Sequence, residues 1–150
     1  MRNLFVLGRA IFGGFFIHSG LRHFQHQKMM SQYAASKGVP APDLAVAGSG
    51  LLAIAGGLSV LTGAKPREGL AAIVAFLVPV SFEMHRFWET QDPNERLGET
   101  VNFMKNMALT GAALTMMMIP EPWPASVDRL RTEEDMYLHL EGRERLRQLA

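Results

Sequence analysis

Cysteine is absent from this sequence. That excludes disulfides, thiol catalysis, haem attachment through thioethers and cysteine-held iron–sulfur clusters. An excess of charge of one sign is absent too: fifteen Lys and Arg stand against fourteen Asp and Glu, a net charge of +1, which offers no basic surface for nucleic acid. No close His/Glu ligand motif such as H-E-x-x-H occurs, so no metal site is expected. Charge is also scarce where most of the chain lies. Residues 121–150 hold twelve of the twenty-nine charged residues, so the first 120 are far more apolar than the average suggests. The expected organisation is one apolar domain over 1–120 and a charged extramembrane tail over 121–150.

Four apolar runs occupy the first part: Leu4–Leu21, Leu44–Gly63, Gly69–Phe82 and Phe103–Ile119. Leu44 to Ala64 carries no charge, which is about the length a helix needs to cross a hydrocarbon core of roughly 30 Å. A soluble surface helix needs a polar stripe at helical period, and none of the runs has one. Glycine recurs within them. It costs a helix in water about 1 kcal/mol against alanine, whereas in lipid small residues let helices approach closely. Ala10-x-x-x-Gly14 and Ser49-x-x-x-Ala53-x-x-x-Gly57 have that spacing, and Gly20, Gly56 and Gly57 are expected structural positions. The pattern predicts an all-α fold: an antiparallel four-helix transmembrane bundle with a short interfacial helix over His26–Ala35 and a charged C-terminal extension. Trp88 and Trp123, after the third and fourth runs, are expected at opposite membrane interfaces.

The connections fit. "SKGVPAPD" (Ser36–Asp43) breaks helix and offers Asp43 as an N-cap. "GAKPRE" (Gly63–Glu68) reads as a short turn, and "ETQDPNERLGETVN" (Glu89–Asn102) as a polar loop. In the tail, Thr132 and Asp135 are the expected helix start. Arg9 interrupts the first run, which favours a retained anchor over a cleaved signal peptide; it is expected to reach headgroups or cap carbonyls. Near the spans each side of the membrane has five Lys and Arg, so positive charge does not decide orientation. Cytoplasmic termini are expected, because the charged tail is easier to leave inside a bacterial or archaeal cell than to export.

An up-and-down bundle gathers dispersed polar residues at one end. His18 and Arg22 close the first span; Glu83, His85, Arg86 and Glu89 close the third; Asn102, Lys105 and Asn106 open the fourth. His18/Arg22 and His85/Glu89 are four residues apart, the spacing of one helix face. Glu83 is expected to pair with Lys105 or Arg22, and Glu89 with Arg86 or Arg22. Ionisable groups at membrane depth are expensive unless paired or wetted, and are functional candidates by default. His, Lys, Arg and Asn are donors for quinone carbonyls, and Phe15, Phe16, Phe82 and Trp88 are candidate walls for the ring and tail. The candidate polar cluster for quinone is thus His18, Arg22, Glu83, His85, Trp88, Lys105 and Asn106, with no residue assigned as catalytic.

Five segments carry a resemblance: "GRAIFGGFFIHSGLRHF" (Gly8–Phe24), "KGVPAP" (Lys37–Pro42), "GGLSVLTG" (Gly56–Gly63), "FEMHRFWE" (Phe82–Glu89) and "NFMKNMALTGAAL" (Asn102–Leu114). Over about residues 4–119 the chain resembles the DoxX family of small integral membrane proteins. The resemblance implies a four-helix membrane bundle and a link to quinone or redox metabolism. It picks out Arg9, Gly20, His85, Trp88, Lys105 and Asn106 as motif positions. It further implies a membrane subunit of a larger redox or bioenergetic assembly, respiratory or photosynthetic in type. The alternative is a quinone-linked oxidoreductase subunit of the thiosulfate:quinone oxidoreductase type, working through His85, Glu83 and Lys105. The expected partners are lipid and other membrane subunits, with Val127–Ala150 extending beyond the family core as the docking element.

Overall fold

The computed structural model describes residues 2–148 as six helices: α1 (Arg2–Gln25), α2 (Gln27–Ser36), α3 (Pro42–Thr62), α4 (Pro66–Met84), α5 (Pro93–Met117) and α6 (Val127–Gln148). No strand occurs among the described residues. Two helices are long and apolar enough to cross a membrane, Asn3–Gln25 and Pro42–Thr62. The 19 residues of α4 include Arg67, Glu68 and Glu83, and the first turns of α5 are polar.

Helices α1, α3, α4 and α5 pack in that order, with the short α2 lying against α3. Neighbours are antiparallel. On α1 and α3, Gly13 faces Gly57 and Gly20 faces Gly50. These pairs are seven residues apart on both helices, two turns, so each pair recurs on the same seam. A Cβ on Gly13 would lie 2.6 Å from the Gly57 carbonyl oxygen, and a Cβ on Gly57 2.6 Å from that of Gly13. The seam is therefore backbone against backbone. Gly14, by contrast, meets nothing within 4 Å: the Ala10/Gly14 spacing does not lie in this interface. Gly56 of α3 meets the Gly69 carbonyl of α4 in the same manner, at 2.7 Å. Phe16, Ala53, Val60, Leu70, Ile73, Phe76, Leu77, Ala113 and Trp123 form the buried core.

Three helix starts differ from expectation. Asp43 does not cap α3; Ala41 occupies that position in a left-handed conformation, Pro42 is the first helical residue and Asp43 lies in the first turn. The reason is that proline's fixed φ and missing N–H suit the first helical position. Much of the expected loop before the last apolar run is helical. Asp92 caps α5, its Oδ1 accepting from the N–H groups of Asn94 (3.0 Å) and Glu95 (2.8 Å), with Pro93 next. Finally, α6 begins at Val127 rather than at Thr132, since the Ser126 hydroxyl oxygen accepts from the Arg129 N–H at 3.1 Å. Asp92→Ala is expected to lower stability by about 0.5–2 kcal/mol, seen as a lower unfolding midpoint in detergent and a loss of the Glu99 contacts described below.

Residues 118–128 close one end of the bundle. Trp123 is fully buried, edge-on to Phe5 at 5.3 Å between ring centroids. This corrects the expectation of an interfacial ring: the chain after α5 folds back and tucks the indole between the helices. Arg9 donates to the carbonyls of Ala125 (2.8 Å) and Pro124 (3.3 Å). Asp128 accepts from the Lys65 N–H at 2.7 Å, and Arg67 Nε donates to the Met117 carbonyl at 3.2 Å. Gly63, with φ +68°, sits in the turn beneath this fold-back. A Cβ there would lie 2.5 Å from Ser126 Cβ and 2.7 Å from the Arg9 guanidinium.

Candidate functional site

The other end of the bundle brings together the end of α1, α2, the start of α3, the end of α4 and the start of α5. At its centre is Glu99, a carboxylate buried to 7% exposure. The capped start of α5 is what delivers it, one turn beyond Glu95. His85 Nδ1 donates to Glu99 Oε2 at 2.6 Å, the Tyr33 hydroxyl donates to Oε1 at 3.0 Å, and Lys37 Nζ lies 3.6 Å from Oε1. Helix α4 ends at Met84, and His85 follows it with its N–H on the Ser81 carbonyl at 3.2 Å. The ring is thus released from the helix face and turned to α5. For the same reason His85 and Glu89 do not share a helix face.

Glu99 stands in the polar stretch Pro93–Asn102, ahead of the apolar part of α5. Burial is the largest influence on its carboxyl and pushes the pKa up. The hydrogen bonds from His85 and Tyr33, with the charges of His85 and Lys37, outweigh it and hold the pKa below the ordinary 4.5. A lowered pKa makes the ionised form stabilising above the unfolded-state value, and that stability is lost as pH falls through the folded-state value. Acidification below about pH 4 is therefore expected to lower the melting temperature, and Glu99→Gln to blunt that acid limb.

Beside this network a cleft of about 410 Å³ opens between α1, α2, α3 and α4. Val46, Leu52, Phe76 and Val80 supply apolar walls, and His23, Tyr33, Glu83 and His85 supply polar groups. His23 is fixed by its Nδ1–H on the Ser19 carbonyl at 2.8 Å and by an edge-on contact with Phe76. Pro79 lies inside α4. It has no N–H for the carbonyl four residues earlier, that of Ala75, and both residues line the cleft.

The residues singled out in the sequence divide. His85 and Glu83 line the cleft. Glu83 pairs with Arg86 at 2.7 Å rather than with Lys105 or Arg22, and Arg86 also reaches Glu89 at 3.5 Å and the Lys37 carbonyl at 3.2 Å. Lys105 is exposed and donates to Asn102 Oδ1 at 3.1 Å; Asn106 is buried one turn further along α5. His18 and Arg22 are exposed on α1, outside the cleft lining. Trp88 is partly exposed in a cluster with Phe82, Phe87 and Phe103. Arg9, Gly56 and Gly57 belong to the closed end and the helix seams, and Gly20 to the α1–α3 seam. The sequence reading missed Glu99, Tyr33 and Lys37. The available signal was Asp92-Pro93-x-Glu95, a cap, a first-turn proline and a capping-box acid, which makes Glu99 helical. Among the described residues no group of three or more His, Asp or Glu is placed to hold a metal ion.

Taken together these features define a helical protein, among its described residues, with one end closed by a folded-back segment, the other opened by an amphiphilic cleft, and two helices long and apolar enough to cross a membrane. The DoxX family model matches residues 4–86, more than half of the chain, and the protein belongs to the DoxX family. The matched residues stop short of α5, so the Asn102–Leu114 segment lies outside them. Neither the curated proteins nor the solved structures include a match.

Proposed function

We propose that α1, α3, α4 and the apolar part of α5 from Phe103 on cross a cell membrane as an antiparallel bundle, termini cytoplasmic, and that the cleft holds the head of a quinone-type ring. The chain then serves as an integral membrane subunit of a redox or bioenergetic assembly. The observation that carries this reading is the cleft itself. It is ring-sized and apolar along its length, and its polar groups sit where the bundle gives way to Lys37, just past α2, and the charged α4–α5 connection. The outward faces support the membrane setting. Leu4, Leu7, Ile11 and Phe15 on α1, and Leu44, Leu51 and Leu58 on α3, are all exposed at helical spacing. Each such side chain forgoes about 1.5–3 kcal/mol in water, so the row suits lipid.

The assembly half of the reading draws support from α6. It leaves Leu130, Met136, Tyr137, Leu138 and Leu140 exposed on a helix otherwise rich in charge, a surface suited to another subunit. Residues 149 and 150 of the expected docking element lie outside the described residues.

The test is purification of the full chain in mild detergent, followed by organic extraction and analysis of bound lipids. The ring compound, counted as quinone plus hydroquinone, is expected at near-stoichiometric level in the wild type and to be lost in His85→Ala. Its absence from freshly extracted wild type would defeat the ring reading. Truncation after Ser126 is expected to release co-purifying subunits. A complex unaffected by the truncation would remove α6 from the interface.

A further inference from the structure

Both histidines in the cleft have one ring nitrogen already committed to a group that only accepts. His85 gives its Nδ1 hydrogen to the Glu99 carboxylate at 2.6 Å, and His23 gives its Nδ1 hydrogen to the Ser19 carbonyl at 2.8 Å. A neutral imidazole carries one N–H, so a proton fixed on Nδ1 leaves Nε2 as a lone pair. In the neutral form the two imidazoles, one on α1 and one just past the end of α4, are thereby held in the same tautomer. Pro79 also leaves the Ala75 carbonyl without its helical donor, and both residues belong to the same lining. The cationic groups nearby are engaged elsewhere: Arg86 with Glu83, Glu89 and the Lys37 carbonyl, and Lys37 with Glu99. The cleft therefore presents acceptors and few donors, the reverse of what a quinone's two carbonyls require.

We propose that the cleft selects the reduced, dihydroxy ring over its oxidised, dicarbonyl form, because His23 and His85 offer it Nε2 lone pairs, with Glu99 as the positioning residue that sets the His85 tautomer. This rests on the ring-binding reading above. A hydroquinone brings two hydroxyl donors and meets acceptors; a quinone brings only acceptors and leaves the lone pairs of cleft and ligand facing one another. A single hydrogen bond contributes only modestly net of water, so one to two such bonds give a preference of roughly tenfold. Glu99 does more than hold the ring still. A carboxylate accepts only, so it admits one tautomer. A glutamine in its place presents an N–H₂ as well, and permits the proton to move to Nε2.

The experiment has two arms on the full-length protein in detergent, under anaerobic conditions at about pH 8, where imidazole is ordinarily neutral. In the first arm, nitrogen-15-labelled histidine is read by NMR, with His23→Gln and His85→Gln assigning the signals. Nδ1–H tautomers are expected for both rings in the wild type, which requires no altered fold. In the second arm, calorimetry compares a short-chain benzoquinone with its hydroquinone. The hydroquinone is expected to bind about tenfold more tightly, and Glu99→Gln to reduce that preference several-fold while moving the His85 signal towards Nε2–H. Equal binding of the two forms, tighter quinone binding, or an Nε2–H tautomer at His85 in the wild type overturns the proposal while leaving ring binding intact. Binding of neither form overturns both the proposal and the reading on which it rests.

Discussion

Trp123→Ala is expected to cost about 3–5 kcal/mol, the range for deleting a fully buried large aromatic side chain. The indole is inaccessible and packs edge-on against Phe5 of α1 at 5.3 Å. Its loss leaves a cavity just inside the closed end, which the surrounding backbone is poorly placed to fill. That end is held by cross-links that depend on one another: Arg9 on the carbonyls of Pro124 and Ala125, Asp128 on the Lys65 N–H, and Arg67 on the Met117 carbonyl. Once the 118–128 segment loosens, Arg9 loses its acceptors while still flanked by apolar α1 residues. The measurement is a thermal or denaturant unfolding curve in detergent, together with proteolysis at the α5–α6 connection, which is expected to become accessible. Trp88→Ala is the control. Trp88 is 45% exposed, so the same deletion at the open end is expected to cost much less.

The contrast between the two tryptophans also marks how far the sequence carries. Hydropathy locates α1 and α3, because a long apolar run with no polar stripe, uncharged in α3 and broken only by Arg9 in α1, has few alternatives to a helix with apolar surroundings. The polar end of the bundle is legible as a region, since up-and-down connectivity forces the ends of α1 and α4 and the start of α5 together whatever their side chains do. Contacts within that region are not legible. Tyr33 and Glu99 are 66 positions apart, and nothing in either neighbourhood signals the other. His18 and Arg22 share a face of α1 as their spacing requires, but periodicity fixes only which residues share a face and not which way the face turns. Glu99 went unnoticed for a more local reason. Charge density between Glu89 and Asn102 reads as loop, while the structure follows the capping signal at Asp92. Trp123 shows the limit of positional rules: a tryptophan just past an apolar run is an interface anchor only if the chain does not turn back, and Pro120, Pro122 and Pro124 lie around it.

The second large effect is expected at the α1–α3 seam. Gly57→Leu should abolish the packed state, whereas Gly14→Leu should leave it nearly unchanged. Composition gives no reason for the difference, since both residues are helical glycines in apolar runs. Geometry does. A Cβ at Gly57 lies 2.6 Å from the Gly13 carbonyl oxygen and 2.9 Å from both the Ile17 N and Cγ1 atoms. Ordinary contact begins near 3.4 Å. Two of the obstructing atoms belong to the α1 backbone and have no rotamer by which to move, so the helices must separate. Even Gly57→Ala is a contest: the gain in helix propensity is about 1 kcal/mol, against an overpacking cost of about 1–3 kcal/mol. Leucine adds three carbons beyond that clash and forces a wider gap, which forfeits close contact along the seam out to Gly20 and Gly50 and disturbs the α3 wall of the cleft. At Gly14 a new side chain meets nothing within 4 Å and joins the exposed apolar face beside Ile11 and Phe15. Size-exclusion profiles and unfolding midpoints of the two variants, purified side by side in one detergent, decide the matter. A Gly57→Leu protein as stable as wild type would mean that α1 and α3 do not meet backbone to backbone.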